Sequence, residues 1–166
     1  ATEVKWHQDF PYTPHSNTDL VTALLMVDEV TAENGPLEVV PGSHRGPIQS
    51  LWHDGSFTGA MCPDVAASMQ DAAVSCVGPA GSVCLMHTKL AHASAPNRSE
   101  RSRTLFISVY GAGDAVPYGP SPVPTRHQGL FVRGADPGRV RTESYEMDLP
   151  EAPTGASFFT QQEAGI

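Results

Sequence analysis

Short apolar stretches, separated by clusters of Gly, Pro, Asn and Ser, run through most of this chain and predict strands far more often than helices. Val4–Phe10 predicts a strand that ends in the proline-broken loop Pro11–Ser16. The run DLVTALLMVD at 19–28 is mostly apolar and partly β-branched, as expected of a strand buried on both faces. Asn34-Gly35-Pro36 supplies a turn, after which Leu37–Val40 forms a strand that stops at Pro41-Gly42. Residues 45–62 show no period and read as loop, whereas Asp64–Ala73 fits a short helix capped by Asp64 behind Pro63. Ala73–Val77 and Ser82–Met86 predict two strands around the turn Gly78–Gly81. His92 ends the next segment, Arg103–Tyr110 is a further strand, and Gly129–Arg133 is a last one. Four prolines between Ala115 and Pro124 make that stretch irregular.

Many short strands joined by turns indicate an all-β sandwich or barrel, and a jelly roll fits best, with minor helix and an irregular C-terminal tail. The 166 residues suit one domain, with a core over about 5–111 and a tail over 112–166. With 18 acidic against 10 basic side chains, the net charge of −8 repels nucleic-acid phosphates and anionic membranes. A small-molecule substrate is the better match, with no nucleic-acid or membrane partner. Cys62, Cys76 and Cys84 cannot all pair and show no C-x-x-C spacing, which points to a reducing, cytoplasmic compartment. The chain opens six residues before its first chemically loaded motif, so its lack of an apolar leader carries little weight.

That motif is His7-Gln8-Asp9. Residues i and i+2 of a strand share a face, so an imidazole and a carboxylate can converge on one point. A third ligand from a distant strand would complete the two-His, one-carboxylate set of non-haem Fe(II) oxygenases, which leaves positions open for co-substrate and dioxygen. On the residues alone, His87 and His92 compete for that place. His92 precedes the small residues Ala93, Ser94 and Ala95, and Arg103 follows eleven positions on, where a turn at Pro96–Glu100 would fold the next strand back beside it. Arg103 shares a strand face with Leu105, Ile107 and Val109. If that face is interior, its guanidinium needs an anionic partner, which a carboxylate of a bound small molecule would supply bidentately.

WHQDF at 6–10, ENGPLEVVPGSHRGP at 33–47 and the run from Pro79 to Tyr110 together resemble the phytanoyl-CoA dioxygenase family, which includes ectoine hydroxylase, over about residues 5–111. The resemblance implies a double-stranded β-helix (a cupin-like jelly roll), with Fe(II) on His7, Asp9 and His92, and 2-oxoglutarate and O2 as co-substrates. It implies that Arg103 anchors the distal carboxylate of 2-oxoglutarate, that Ser94 faces co-substrate or substrate, and that His44 and His87 are not ligands. The implied reaction hydroxylates a C–H bond and releases succinate and CO2. Because Asp9 is a carboxylate where halogenating relatives carry a small residue, hydroxylation is favoured over halogenation. Relatives carry a segment ahead of the His-x-Asp strand that this sequence does not display. A non-catalytic domain, or a cupin-type isomerase using Zn or Mn, is the alternative. Tyr12, Trp52, His53 and His127 are pocket candidates by residue type.

Overall fold

The computed structural model of the chain describes residues 3–151 and Gln162. In chain order its elements are β1 (Val4–His7), β2 (Leu20–Met26), β3 (Leu37–Val39), β4 (Trp52–His53), β5 (Ser56–Phe57), α1 (Pro63–Gln70), β6 (Val74–Cys76), β7 (Val83–His87), β8 (His92–Ser94) and β9 (Leu105–Gly111). A four-stranded sheet runs β1-β8-β3-β6, a three-stranded sheet runs β7-β2-β9, and β4-β5 form a small hairpin. Their pairings are antiparallel. The two larger sheets stack through one buried cluster, in which Leu37 of the first meets Leu24 and Met86 of the second. This is the all-β jelly-roll arrangement that the short strands predict. None of the helices in the described residues is long and apolar enough to cross a membrane.

A second cluster (Val40, Leu51, Phe57, Met61 and Ala91, flanked by Trp6, Tyr12, Val65 and Met69) lies between the four-stranded sheet, the hairpin and α1. Trp6 and His7 are neighbours on β1, so one serves this cluster while the other faces the space between the sheets.

Several local expectations need correction. β2 is not buried on both faces: Leu20, Thr22, Leu24 and Met26 are buried, but Val21 is 39% exposed. Its outward neighbours Leu85 and Phe106 are also open to solvent, so this sheet is covered on one side only. The stretch 45–62 is not all loop. Asp54 and Gly55 both take positive φ (47° and 77°), the geometry of a two-residue hairpin turn, and Asp-Gly is its usual sequence. The helix starts at Pro63 with Cys62 as its cap residue, and Asp64 lies inside the first turn. β6 and β7 do not form a hairpin, because β6 pairs with β3 and β7 with β2, so the Gly78–Gly81 turn carries the chain from one sheet to the other. β8 and β9 likewise belong to different sheets. No strand forms at 129–133, where Leu130 and Val132 are exposed.

The described part of the tail, 112–151, holds no helix or extended strand, as expected, but it is tied down. Arg141 forms ion pairs with Asp19, Asp114 and Glu143, Tyr145 donates to the His15 carbonyl, and Trp52 donates to the Leu149 carbonyl.

The Asn34-Gly35-Pro36 turn is fixed more tightly than its sequence suggests. Asn34 is fully buried, accepting from Thr31 N–H and donating to the Glu29 carbonyl. Gly35 has φ +82°, and a Cβ there would stand 2.7 Å from the Ala95 carbonyl oxygen. Gly35→Ala is therefore expected to destabilise the protein by about 1–3 kcal/mol, from the strained φ and the backbone clash together. Denaturant unfolding checks this, and an unchanged midpoint would show that the turn relaxes freely.

Candidate metal centre

β1 and β8 pair so that His7 lies directly opposite His92. Directly opposed side chains of an antiparallel pair leave on the same face, and the two imidazole centroids are 4.1 Å apart. The two strands are hydrogen-bonded neighbours in one sheet while β9 lies in the other, so the expectation that a turn at Pro96–Glu100 folds the next strand back beside His92 is corrected. So is the position of His92, which begins a strand rather than ending one.

Asp9 arrives differently from the same-face strand geometry expected of His-x-Asp. The strand stops at His7, and Asp9 adopts a helical backbone (φ −71°, ψ −35°) that opens the 3-10 turn Phe10–Tyr12. That turn swings the carboxylate back over the imidazoles. Asp9 Oδ1 lies 3.7 Å from His7 Nε2 and 3.4 Å from His92 Nε2. One ligand atom from each of the three residues falls within 4.8 Å of the others, the sole such grouping of metal-binding side chains among the described residues.

The surroundings orient these atoms. His7 Nδ1 bonds the Lys5 carbonyl oxygen at 2.8 Å and His92 Nδ1 bonds that of Leu90 at 2.9 Å. A carbonyl can only accept, so each Nδ1 carries the proton and each Nε2 is turned to the centre. Thr22 of β2 donates to Asp9 Oδ2 at 2.6 Å.

Burial and crowding split the imidazoles electrostatically. Desolvation and the His92 charge push His7 down to about 3, so it is neutral at ordinary pH. Burial also opposes charge on His92, yet the hydrogen bond and the charge of Asp9 outweigh it and raise its pKa. Burial would raise Asp9, but His92, His7 and Thr22 together hold it down at about 2. The shared carboxylate thus favours protonation of His92 over His7. Two imidazole nitrogens and a carboxylate oxygen facing one point form a donor set suited to a divalent first-row ion with positions left open, so these residues fit Fe(II).

The other sequence candidates fall around this centre. Ser94 lies on β8 two residues past His92, is buried, and sits opposite Leu37. Arg103 precedes β9 instead of lying within it, and Ile107 and Val109 are 57% and 50% exposed, so the buried strand face inferred for it is not there. Arg103 nevertheless lines a small cavity whose other walls are Leu24, Met26, Val30, Leu37, Cys76, Cys84 and Leu105, and burial lowers its pKa. His87 stands outside the group; its Nδ1 accepts from Lys89 N–H and its ring lies 5.4 Å from that of His44. Tyr12 packs edge-on to His7 at 6.0 Å. Trp52 lines a separate cavity of about 370 Å³ with Pro11, Ile48 and Phe57. His53 is partly buried, and His127 is exposed. All three cysteines are free.

Sequence reasoning passed over Thr22. A signal was present, because Thr22 is the one polar residue on the buried face Leu20, Thr22, Leu24, Met26.

The family model for phytanoyl-CoA dioxygenase (PhyH) matches residues 1–105. Among curated proteins, the chain is 36% identical over 120 residues to a probable alpha-ketoglutarate-dependent hypophosphite dioxygenase of Stutzerimonas stutzeri, covering 69% of this chain and 41% of that protein. It is 30% identical over 135 residues to the L-proline trans-4-hydroxylase of Streptomyces griseoviridis, covering 69% of this chain and 50% of the relative. The chain thus spans half or less of the length of these curated relatives. Among solved structures, EctD from S. alaskensis with 2-oxoglutarate and 5-hydroxyectoine superposes with a TM-score of 0.60 at 26% identity, over 90% of this chain and 51% of that one. With a match running across both sheets and through all three residues of the centre, the chain belongs to the phytanoyl-CoA dioxygenase family.

Proposed function

We propose that this chain is the oxygenase domain of an Fe(II)- and 2-oxoglutarate-dependent dioxygenase that hydroxylates a C–H bond of a small molecule, with His7, Asp9 and His92 as the metal ligands. The observation that carries the reading is the convergence of three donor atoms with both imidazole tautomers set by backbone carbonyls. Bound Fe(II) supplies activation of dioxygen, coupled to conversion of 2-oxoglutarate to succinate and CO2 and to oxidation of the substrate C–H bond.

The protein's own part is positional. Among the described residues, the cavity that Arg103 lines is walled by apolar side chains and thiols, with no acidic residue. A guanidinium so placed favours a carboxylate that arrives with a ligand. β2 connects this cavity to the metal ligands: Thr22 bonds Asp9, and Leu24, the next residue on that face, lines the Arg103 cavity. One repeat along a strand face is about 7 Å, which suits a short dicarboxylate lying between the two. Ser94 and Leu37, opposed in register, flank the same space from the other sheet. Asp9 occupies the position whose loss would open a site for halide, which favours hydroxylation. Three free thiols fit a reducing, cytoplasmic compartment.

Arg103→Ala is expected to weaken 2-oxoglutarate by about 1.5–4 orders of magnitude, the equivalent of about 2–5 kcal/mol for a lost charge partner. Arg103→Lys should recover part of that, because a point charge lacks the bidentate fork. Anaerobic titration of the Fe(II)-loaded variants, followed by metal-to-ligand absorbance, measures both. Undiminished affinity in Arg103→Ala moves the anchor elsewhere.

Metal binding must also displace the proton on His92. The Asp9 carboxylate raises the pKa of that proton above the ordinary histidine value, so metal affinity should climb with pH until His92 has lost it and then level off. Below that pKa, about one proton should be released per ion bound. His92→Ala should abolish binding, whereas His87→Ala should leave it intact. Calorimetry in buffers of different ionisation enthalpy gives the proton count, and pH-independent affinity would argue against His92 as a ligand.

A further inference from the structure

Thr22 is 1% exposed and lies on the central strand of its sheet, opposite Met86 on one side and Val109 on the other. Both edges of its backbone are hydrogen-bonded, so the position of its hydroxyl is fixed by the strand and not by a loop. Its neighbours on the same face, Leu20, Leu24 and Met26, are buried and apolar. Valine would fit this face with no polar atom to desolvate, so a hydroxyl here runs against the packing unless it is bonded. Its bond is to Asp9 Oδ2 at 2.6 Å, and it crosses from one sheet to the turn that follows the other.

The two oxygens of Asp9 are therefore not equivalent. Both imidazole Nε2 atoms face Oδ1, at 3.7 and 3.4 Å, while Oδ2 is held by the hydroxyl. Among the hydrogen bonds that hold the three candidate ligands in place, His7 and His92 use backbone carbonyls, and Asp9 uses this side chain. We infer that Thr22 is the positioning residue of the metal centre: its hydroxyl ties down Oδ2, so that Asp9 presents Oδ1 alone, and it sets how tightly the centre holds its metal. The inference rests on the reading of Asp9 as a ligand. A carboxylate freed from this bond could rotate about its Cβ–Cγ axis and turn Oδ1 away from the point that both imidazole Nε2 atoms face. Partners of this kind typically change metal affinity about 10–100-fold.

Co(II) serves as the probe, because its visible absorption reports coordination number without turnover. Four proteins are compared: the parent chain, Thr22→Val, Thr22→Ser and Asp9→Ala. Circular dichroism of each metal-free protein establishes that it is folded, and Co(II) affinity is measured by competition with a chelator. Thr22→Val is expected to bind Co(II) about 10–100-fold more weakly and with an altered visible spectrum. Thr22→Ser, which keeps the hydroxyl, should restore affinity to within about threefold of the parent and recover its spectrum. Parent-like affinity and spectrum in Thr22→Val would overturn the inference, as would a Thr22→Ser protein as impaired as Thr22→Val, because the methyl and not the hydroxyl would then matter. Asp9→Ala separates the two levels of the argument. If it binds Co(II) as tightly as the parent, the ligand reading itself fails. If it loses binding while Thr22→Val does not, only the role of Thr22 fails.

Discussion

The centre depends on one register, the antiparallel pairing that sets His7 against His92. Side-chain direction alternates along a strand, so a slip of one residue would bring Trp6 into the space between the sheets and turn His7 out. Trp6 prevents this, because its indole packs against the cluster under α1 and the β4-β5 hairpin, which buries Leu51, Phe57 and Met61. The hydrophobic burial of one residue thus fixes the chemistry of the next. Gln8 locks the exit from the same strand: it is buried, donates to the Pro47 and Lys89 carbonyls and accepts from Gln49 N–H. With Gln8 pinned, Asp9 has only the 3-10 turn to follow, and that turn returns its carboxylate to the imidazoles.

Three ionisable groups packed this closely would be a liability in an ordinary core. Removing charges from water costs several kcal/mol per ion, and mutual attraction offsets this only where the remaining polar atoms are also bonded. Here they are bonded, by the carbonyls of Lys5 and Leu90 and the hydroxyl of Thr22. The opposite shifts of the two imidazoles follow from their sharing one carboxylate: Asp9 can support one imidazolium, and its stronger bond is to His92. The result is three donor atoms brought together by two sheets and a turn that pack through their own apolar clusters, as a pre-organised site requires.

Much of this was legible in the sequence, and the failures have a common physical cause. Composition and turn residues gave a strand-rich roll, and the short motifs gave the residues that meet at the centre. Period-two patterning says which face a residue takes but not which strand lies beside it, so the sheet membership of β6, β7, β8 and β9 was out of reach. That gap misplaced His92 and gave Arg103 a strand face it does not have. The β4-β5 hairpin differs, because its signal is the local Asp54-Gly55 turn and its two-residue strands are too short to show a period. Two-sided burial of β2 does not follow from its apolar composition, because Val21, Leu85 and Phe106 carry large side chains in the open.

That uneven coverage divides the labour within the roll. His7 and His92 sit on the four-stranded sheet, which has the interior cluster on one face and Trp6, Val65 and Met69 packed under it on the other. Arg103 sits two residues before β9, an edge strand with exposed side chains on both faces. Local opening is easiest where few apolar contacts are buried, so the three-stranded sheet, open on one side, is the more compliant and the four-stranded sheet that carries His7 and His92 the stiffer. Thr22 lies at the join, in the middle strand of the compliant sheet, with its hydroxyl on the carboxylate of the stiff centre. β2 thus joins the wall of the Arg103 cavity, at Leu24, to the Asp9 carboxylate, at Thr22, two residues apart on one strand face.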